Sequence, residues 1–184
     1  MAATARKRTS NYIGPGIYVA PEDLPKLEAS GEWVFETKHD GFWCLVEVRD
    51  GEIAELSSRT GIAFEGAEAA GLLGLSGFGG SGRLVGELTA DVDESGDRAG
   101  VRRLHLFDVL DWNGIDLRDL PQEERREALG IICRAWSIPT RAVRMVEQRS
   151  TGILRWFWQI VREDGGEGLV GKKKGTRYRC ANGD

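Results

Sequence analysis

Phe42-Trp-Cys-Leu-Val-Glu-Val-Arg49, then Asp50-Gly51, then Glu52-Ile-Ala-Glu-Leu-Ser-Ser58: the fold class is read from this stretch. Apolar and polar residues alternate on both sides of the Asp-Gly pair. Alternation with a period of two is the pattern of half-buried strands, and Asp-Gly between two such runs is a strong hairpin signal. The chain therefore begins its folded part with antiparallel pairing. Upstream, residues 32–38 alternate in the same way, residues 21–27 suit a short helix, and residues 1–12 read as a disordered arm. Downstream, a weak helix is expected over 64–73. Seven glycines within residues 71–86 then form a loop that ends at a strand. Strands are expected over 83–90 and 102–110, joined by an acidic turn at 91–100.

The second half is more helical. Pro121 is well placed to open a helix, which runs through residues 123–136 with Leu129, Ile132 and Trp136 on one side. Residues 143–148 look like a strand. Ser150 is a fitting N-cap for a helix over 151–162, where Leu154, Trp158 and Val161 fall at helical spacing. Gly165-Gly166 ends that helix, and residues 168–174 return to strand. Hairpins first and helices later favour an α+β fold with antiparallel sheets over a doubly wound one.

The 184 residues suit one domain, expected over residues 13–184. Net charge is −4, which counts mildly against a protein that lives on duplex DNA, although charge distribution matters more than the sum. Cys44, Cys133 and Cys180 are far apart and form no CxxC pair, so a zinc site or disulfide framework is not expected, and a reducing compartment fits. Basic residues near the N-terminus precede no apolar segment, unlike a secretory signal, and no apolar run reaches the roughly 18 residues of a membrane span. A cytoplasmic monomer is the expectation.

Three motif matches lack the context their chemistry requires. Gly77, Gly79 and Gly82 fit G-x-G-x-x-G but precede a strand instead of opening a helix. Residues 166–173 approach a phosphate-binding P-loop, yet they follow a helix, enter a strand and lack the Ser or Thr that would hold magnesium. Asp91, Asp93, Ser95 and Gly96 begin like a calcium loop, but the twelfth position is Arg102, where a bidentate Glu is needed.

A different set of blocks carries chemistry. Glu36-Thr37-Lys38-His39-Asp40-Gly41 is followed by Ser58-Arg59-Thr60-Gly61, Gly86-Glu87-Leu88, Phe107-Asp108-Val109-Leu110 and Glu167-Gly168-Leu169-Val170, with Lys172 and Lys174 beyond. Lys38-His39-Asp40-Gly41 resembles the K-x-D-G motif of the covalent nucleotidyltransferases, the superfamily of ATP-dependent DNA ligases, RNA ligases and mRNA capping enzymes. A lone K-x-D-G is weak, but five blocks in order are strong. The run from Leu106 to Gly114, with Leu117-Arg118 and Glu124-Arg125-Arg126, is similar to DNA ligases in particular. The resemblance covers residues 14–179.

It implies two antiparallel sheets with flanking helices around a nucleotide pocket, an ATP-grasp-like nucleotidyltransferase fold. It implies that Lys38 attacks the α-phosphate of ATP, with Mg2+ as the metal and nicked double-stranded DNA as the partner. Lysine can form a phosphoramide once deprotonated, and magnesium takes carboxylate oxygens. By resemblance Glu36 lies near the adenine edge, Arg59 and Glu87 address ribose and phosphate, and Phe107 stacks on the base. Glu167, with Glu87, holds the metal, and Lys172 and Lys174 face phosphates. Phe107 also reads as core, Arg59 as a turn residue, and Glu87 and Glu167 as solvated strand-end acids.

Two positions depart from the family pattern. Trp43 stands where such ligases carry an Arg. Tyr178 falls where the family has a Tyr, but the K-x-K strand and the oligonucleotide-binding (OB) domain that follow it are expected in a separate or missing segment. RNA ligation or capping chemistry, and a catalytically weak nucleotide- or nucleic-acid-binding module, are the alternative functions.

Overall fold

The computed structural model describes residues 16–66, 69, 71–92, 98–134, 142–164 and 166–179. The expected arm at residues 1–12 lies outside these, as do Trp136, Cys180 and the centre of the acidic turn.

The hairpin forms as read. Strands β2 (Phe42–Arg49) and β3 (Glu52–Ser58) pair antiparallel. Between them Asp50 and Gly51 adopt φ of 50° and 82°. Two left-handed residues make the turn whose twist matches that of the flanking strands. Alternation along β2 buries Cys44, Val46 and Val48 on one face.

Two longer strands, β4 (Gly82–Val92) and β5 (Arg98–Trp112), continue this sheet. They extend beyond the expected strands on both sides of the acidic turn. With β6 (Ile115–Asp116) the order is β3-β2-β4-β5-β6, and β7 (Val143–Met145) adds to β5 in parallel. A smaller antiparallel sheet has the order β8-β1-β9, made of Gln148–Arg149, Trp33–Thr37 and Leu169–Lys173. Helix α1 (Leu24–Ser30) follows a 3-10 turn at Pro21–Asp23, and α2 (Gln122–Arg134) and α3 (Ile153–Arg162) complete the described elements. The expected α+β class with two sheets holds.

Each sheet has its own apolar packing. One face of the large sheet packs Val46, Leu56, Leu84, Leu88, Leu104 and Leu106 against Leu129 and Ile132 of α2 and against Phe64, Leu72 and Phe78. Phe35 of β1 packs on Leu24 of α1 and on Ile153, Trp156 and Ile160 of α3. A third cluster, on the opposite face of the large sheet, joins Val85, Leu110 and Tyr178, with Trp43, Leu45 and Phe107 against them.

Three local expectations need correction. Residues 71–74 form turns, not the helix expected over 64–73. Tight bonds such as Leu72 N–H to Ala69 O at 3.1 Å span three residues, and Gly66, Gly71 and Gly74 turn the chain at positive φ. The single strand expected over 143–148 divides into β7 and β8, which belong to different sheets. Ser150 is not the N-cap of α3. That position is Gly152 at φ 68°, and the free N–H groups of Gly152 and Ile153 donate instead to the Glu28 carboxylate at 2.7 and 3.0 Å.

Candidate active site

The small sheet sets the position of Lys38. Beyond the end of β1 its N–H donates to Gly168 O at 2.9 Å, continuing the β1–β9 pairing by one step. This brings Lys38 alongside Glu167, and Nζ donates to Glu167 Oε2 as an ion pair. Both side chains remain substantially exposed, at 52% and 41%.

The turn after Lys38 lies against the large sheet. A Cβ on Gly41 would stand 2.5 Å from Leu88 O and 3.0 Å from Glu87 Cγ, so only glycine fits there without moving β4. The close approach lets Gly41 N–H donate to the Glu87 carboxylate. Burial raises the Glu87 pKa to about 7, against the lowering effect of Lys38 and the Gly41 N–H, while Glu167 and Asp40 push it further up. One ammonium and three carboxyl groups therefore act on one another at this spot. Among the described residues, no three His, Cys, Asp or Glu side chains already form a metal cage.

A second cluster surrounds Glu36, two residues earlier on β1 and hence on the same side of the strand. Its carboxylate is buried, at 2% exposure. It accepts from Gln148 Nε2 at 2.9 Å and pairs with Lys172 Nζ at 2.8 Å and Arg126 Nη1 at 3.4 Å. A buried carboxylate needs such partners, because desolvation of an unpaired charge is costly. Lys172 also donates to Phe107 O at 2.8 Å and lies 5.0 Å from the centre of the Phe107 ring. The small sheet is thereby tied to β5 of the large one.

Phe107 occupies a β-bulge. Gly86 pairs with Leu106 and Val85 with Asp108, which leaves Phe107 as the extra residue. Bulges re-aim side chains and are frequent beside functional sites. Phe107 is half-buried against the Val85–Leu110–Tyr178 cluster, which Trp43 also touches.

A family model described as the ATP dependent DNA ligase domain matches residues 83–183, more than half of the chain. The chain belongs to this family. The matched stretch holds Glu87, Phe107, Glu167 and Lys172. Along with it, 179 aligned residues are 29% identical to the multifunctional non-homologous end joining protein LigD of Pseudomonas aeruginosa, covering 88% of this chain and 21% of LigD. Similar solved structures include a mycobacterial DNA ligase D complexed with ATP and MES, at 27% identity and TM-score 0.65, covering 84% of this chain and 52% of that one. The ligase domain of M. tuberculosis LigD is also 27% identical, at TM-score 0.66, with 85% and 53% covered. The bacteriophage T7 ATP-dependent ligase, at 14% identity and TM-score 0.61, shares the fold. The chain thus spans about a fifth of LigD and about half of the ligase D structures.

Within this ligase domain, Lys38, Glu87 and Glu167 meet at one point, and Glu36, Phe107 and Lys172 at another. Lys172 contacts Glu36 and Phe107, at the end where the base was expected. Arg59 sits on an exposed turn closed by Gly61 N–H to Ser58 O at 2.8 Å. Lys174 is engaged elsewhere, with Nζ donating to Gly31 O at 2.7 Å beyond the end of α1.

Sequence reasoning gave Arg126 and Gln148 no role, yet both hold Glu36. No periodic signal marks them, because their partner lies on another element. Arg125 did carry a signal: it shares the apolar side of α2 with Leu129 and Ile132. There its guanidinium is buried, paired with Asp108 at 2.8 and 3.1 Å, and donates to Leu120 O and Thr176 O. Asp108, part of the Phe107 block, is thus the anchor of α2.

Proposed function

We propose that this ligase domain carries out ATP-dependent adenylyl transfer through Lys38, the first stage of sealing a nick in duplex DNA. The observation that carries the reading is the pairing of Lys38 with Glu167 beside Glu87, next to the Glu36–Lys172–Phe107 cluster. Two residues of strand, roughly 6–7 Å, separate Glu36 from Lys38. That is the scale separating a nucleobase from its α-phosphate. The ATP bound in the mycobacterial ligase D supports ATP as the nucleotide, and the end-joining name of LigD supports DNA as the substrate.

In this reading Lys38 Nζ attacks the α-phosphorus of ATP. A P–N bond forms, the P–O bond to pyrophosphate breaks, and AMP remains on the lysine as a phosphoramide. Glu167, already hydrogen-bonded to Nζ, is the acceptor at hand for the amine proton. Phe107 offers its ring to the base, with Glu36 and Lys172 at its edge. Arg59 addresses ribose or phosphate from its exposed turn. Lys174, held at Gly31, is left out.

The donor set suits magnesium, which takes one or two carboxylates and completes its octahedron with phosphate oxygens and water. Glu87 and Glu167 are the residues that would hold it, and when bound it neutralises charge on the phosphates. AMP would then pass to the 5′-phosphate of the nick, for attack by the 3′-hydroxyl, with an OB domain completing the grip on DNA.

The test uses ATP labelled at the α-phosphate. With magnesium the chain takes up label in an acid-labile, base-stable bond, whereas Lys38→Ala remains folded and takes up none. Equal labelling of both proteins removes Lys38 as the nucleophile.

A further inference from the structure

Across the large sheet runs a row of four residues that none of the assignments above explains as a whole. Trp43 on β2 pairs with Glu87 on β4, Glu87 with His105 on β5, and His105 with Arg144 on β7. Residues directly opposite one another share a face of the sheet. Their neighbours Leu104 and Val143, also paired, point the other way into the main core. The row therefore lies on the side that receives the Lys38–Gly41 turn. His39, the residue after the nucleophile, stacks on His105 with ring centres 3.7 Å apart and planes inclined by 29°.

His105 is 5% exposed, and its Nε2 meets Thr89 Oγ1 at 3.0 Å. Its Nδ1 is buried and has no hydrogen-bond partner among the described residues. Burial lowers the proton affinity of both imidazoles, and Arg144 lowers it further, helped at His105 by His39 and Arg103. Arg144 itself is exposed, and among the described residues it forms no ion pair. Lys38 is already paired with Glu167, whereas the Arg144 guanidinium acts on the two imidazoles with no carboxylate paired to it among the described residues. An unpaired guanidinium is a strong partner for an anion. Neighbouring strands stand roughly 4.8 Å apart, so Arg144 lies roughly 10 Å from Glu87 along the row. An extended arginine side chain and one phosphate group together cover that span.

We propose that Arg144 is a phosphate-binding residue, which holds an anionic phosphate group beside Lys38 from the strand beyond His105. The location beside a nucleophile rests on the adenylyl-transfer reading. The anion site itself rests on the row. Arginine suits the task because its planar fork meets two phosphate oxygens at once and stays charged at any working pH. Two sources supply the same chemistry: the pyrophosphate end of ATP, and the 5′-terminal phosphate of a nick. His39 and His105 position the turn that carries Lys38 against the same face.

The experiment titrates the full chain with inorganic pyrophosphate, and separately with a nicked duplex bearing either a 5′-phosphate or a 5′-hydroxyl. Arg144→Ala and Arg144→Lys are measured beside the parent, together with their melting temperatures. Arg144→Ala weakens at least one anionic probe by about tenfold, the size expected for one lost charge-assisted hydrogen bond. Arg144→Lys keeps a good part of the binding, and neither variant changes the melting temperature. Loss confined to pyrophosphate assigns the ATP tail. Loss of the preference for 5′-phosphate over 5′-hydroxyl assigns the nick. Loss in both arms assigns one anion site serving both. Unchanged affinity in both arms, or a parent that binds neither probe, overturns the proposal. Labelling of Lys38 is followed in parallel. An Arg144 effect without labelling leaves the anion site standing and removes only the nucleophile.

Discussion

Glu87 lies within electrostatic reach of Lys38, beside the Lys38–Glu167 pair. Burial lifts its pKa from 4.5 to about 7. A carboxyl whose folded pKa lies above its unfolded one binds its proton more tightly in the native state, so ionisation opposes folding. The contribution is harmless below about 4.5 and costs stability progressively as pH rises towards about 7. Glu87→Gln should therefore flatten the decline in melting temperature between pH 5 and pH 8, and should melt higher than the parent at pH 8. Parallel melting curves for the two proteins across that range would sink the assignment. Phe107 poses a different question, because half-buried aromatic packing and base stacking use the same ring. Stacking is worth roughly 1–3 kcal/mol per base, so Phe107→Ala should raise the ATP concentration needed for labelling by about tenfold. A lower melting temperature with unchanged ATP use would make the ring a core residue only.

At the scale of elements, the connections matter more than the elements themselves. Helix α3 begins without a side-chain cap of its own, and its first N–H groups are satisfied by Glu28 from α1, 125 residues away in sequence for the Ile153 bond. A carboxylate at a helix N-terminus is favoured both by the hydrogen bonds and by the helix dipole. Glu28→Ala should cost about 1 kcal/mol in chemical denaturation, the usual value of a cap. Ser150→Ala should change stability by less than about 0.5 kcal/mol, as an exposed substitution does. The opposite ranking would restore Ser150 as the cap. Helix α2 is anchored in the same non-local way, by Arg125 on Asp108. The bulge at Phe107 belongs to this scale as well. Phe107 keeps the face opposite Leu106, and the extra residue shifts the alternation beyond it, so that Val109 next joins the main core and Leu110 the Phe107 face.

At the scale of the whole molecule, the chain corresponds to about half of the ligase D structures it resembles. Holding a nick in register depends mostly on phosphate contacts. With a net charge of −4, these 184 residues should bind nicked DNA weakly and with a steep dependence on salt. They should seal nicks poorly even when Lys38 is charged with AMP. Efficient multiple-turnover sealing at physiological salt would show that nothing further is needed. The same scale separates what could be read from the chain from what could not. Alternation and the Asp-Gly turn were enough for the antiparallel hairpin of β2 and β3, since both act through neighbouring residues. The ordered blocks from Lys38 to Glu167 were enough for the family, because chemistry restricts residue type and order. The expected helix at 64–73 failed where glycine turns outweighed a weak apolar pattern. The division of residues 143–148 between two sheets was invisible, since both halves look like strand. So were the Arg126 and Gln148 contacts with Glu36, the cap of α3 by Glu28, and the row from Trp43 to Arg144. In each of these the partners come from separate segments, and only strand pairing and the packing of helices and sheets bring them within hydrogen-bond or Coulomb range.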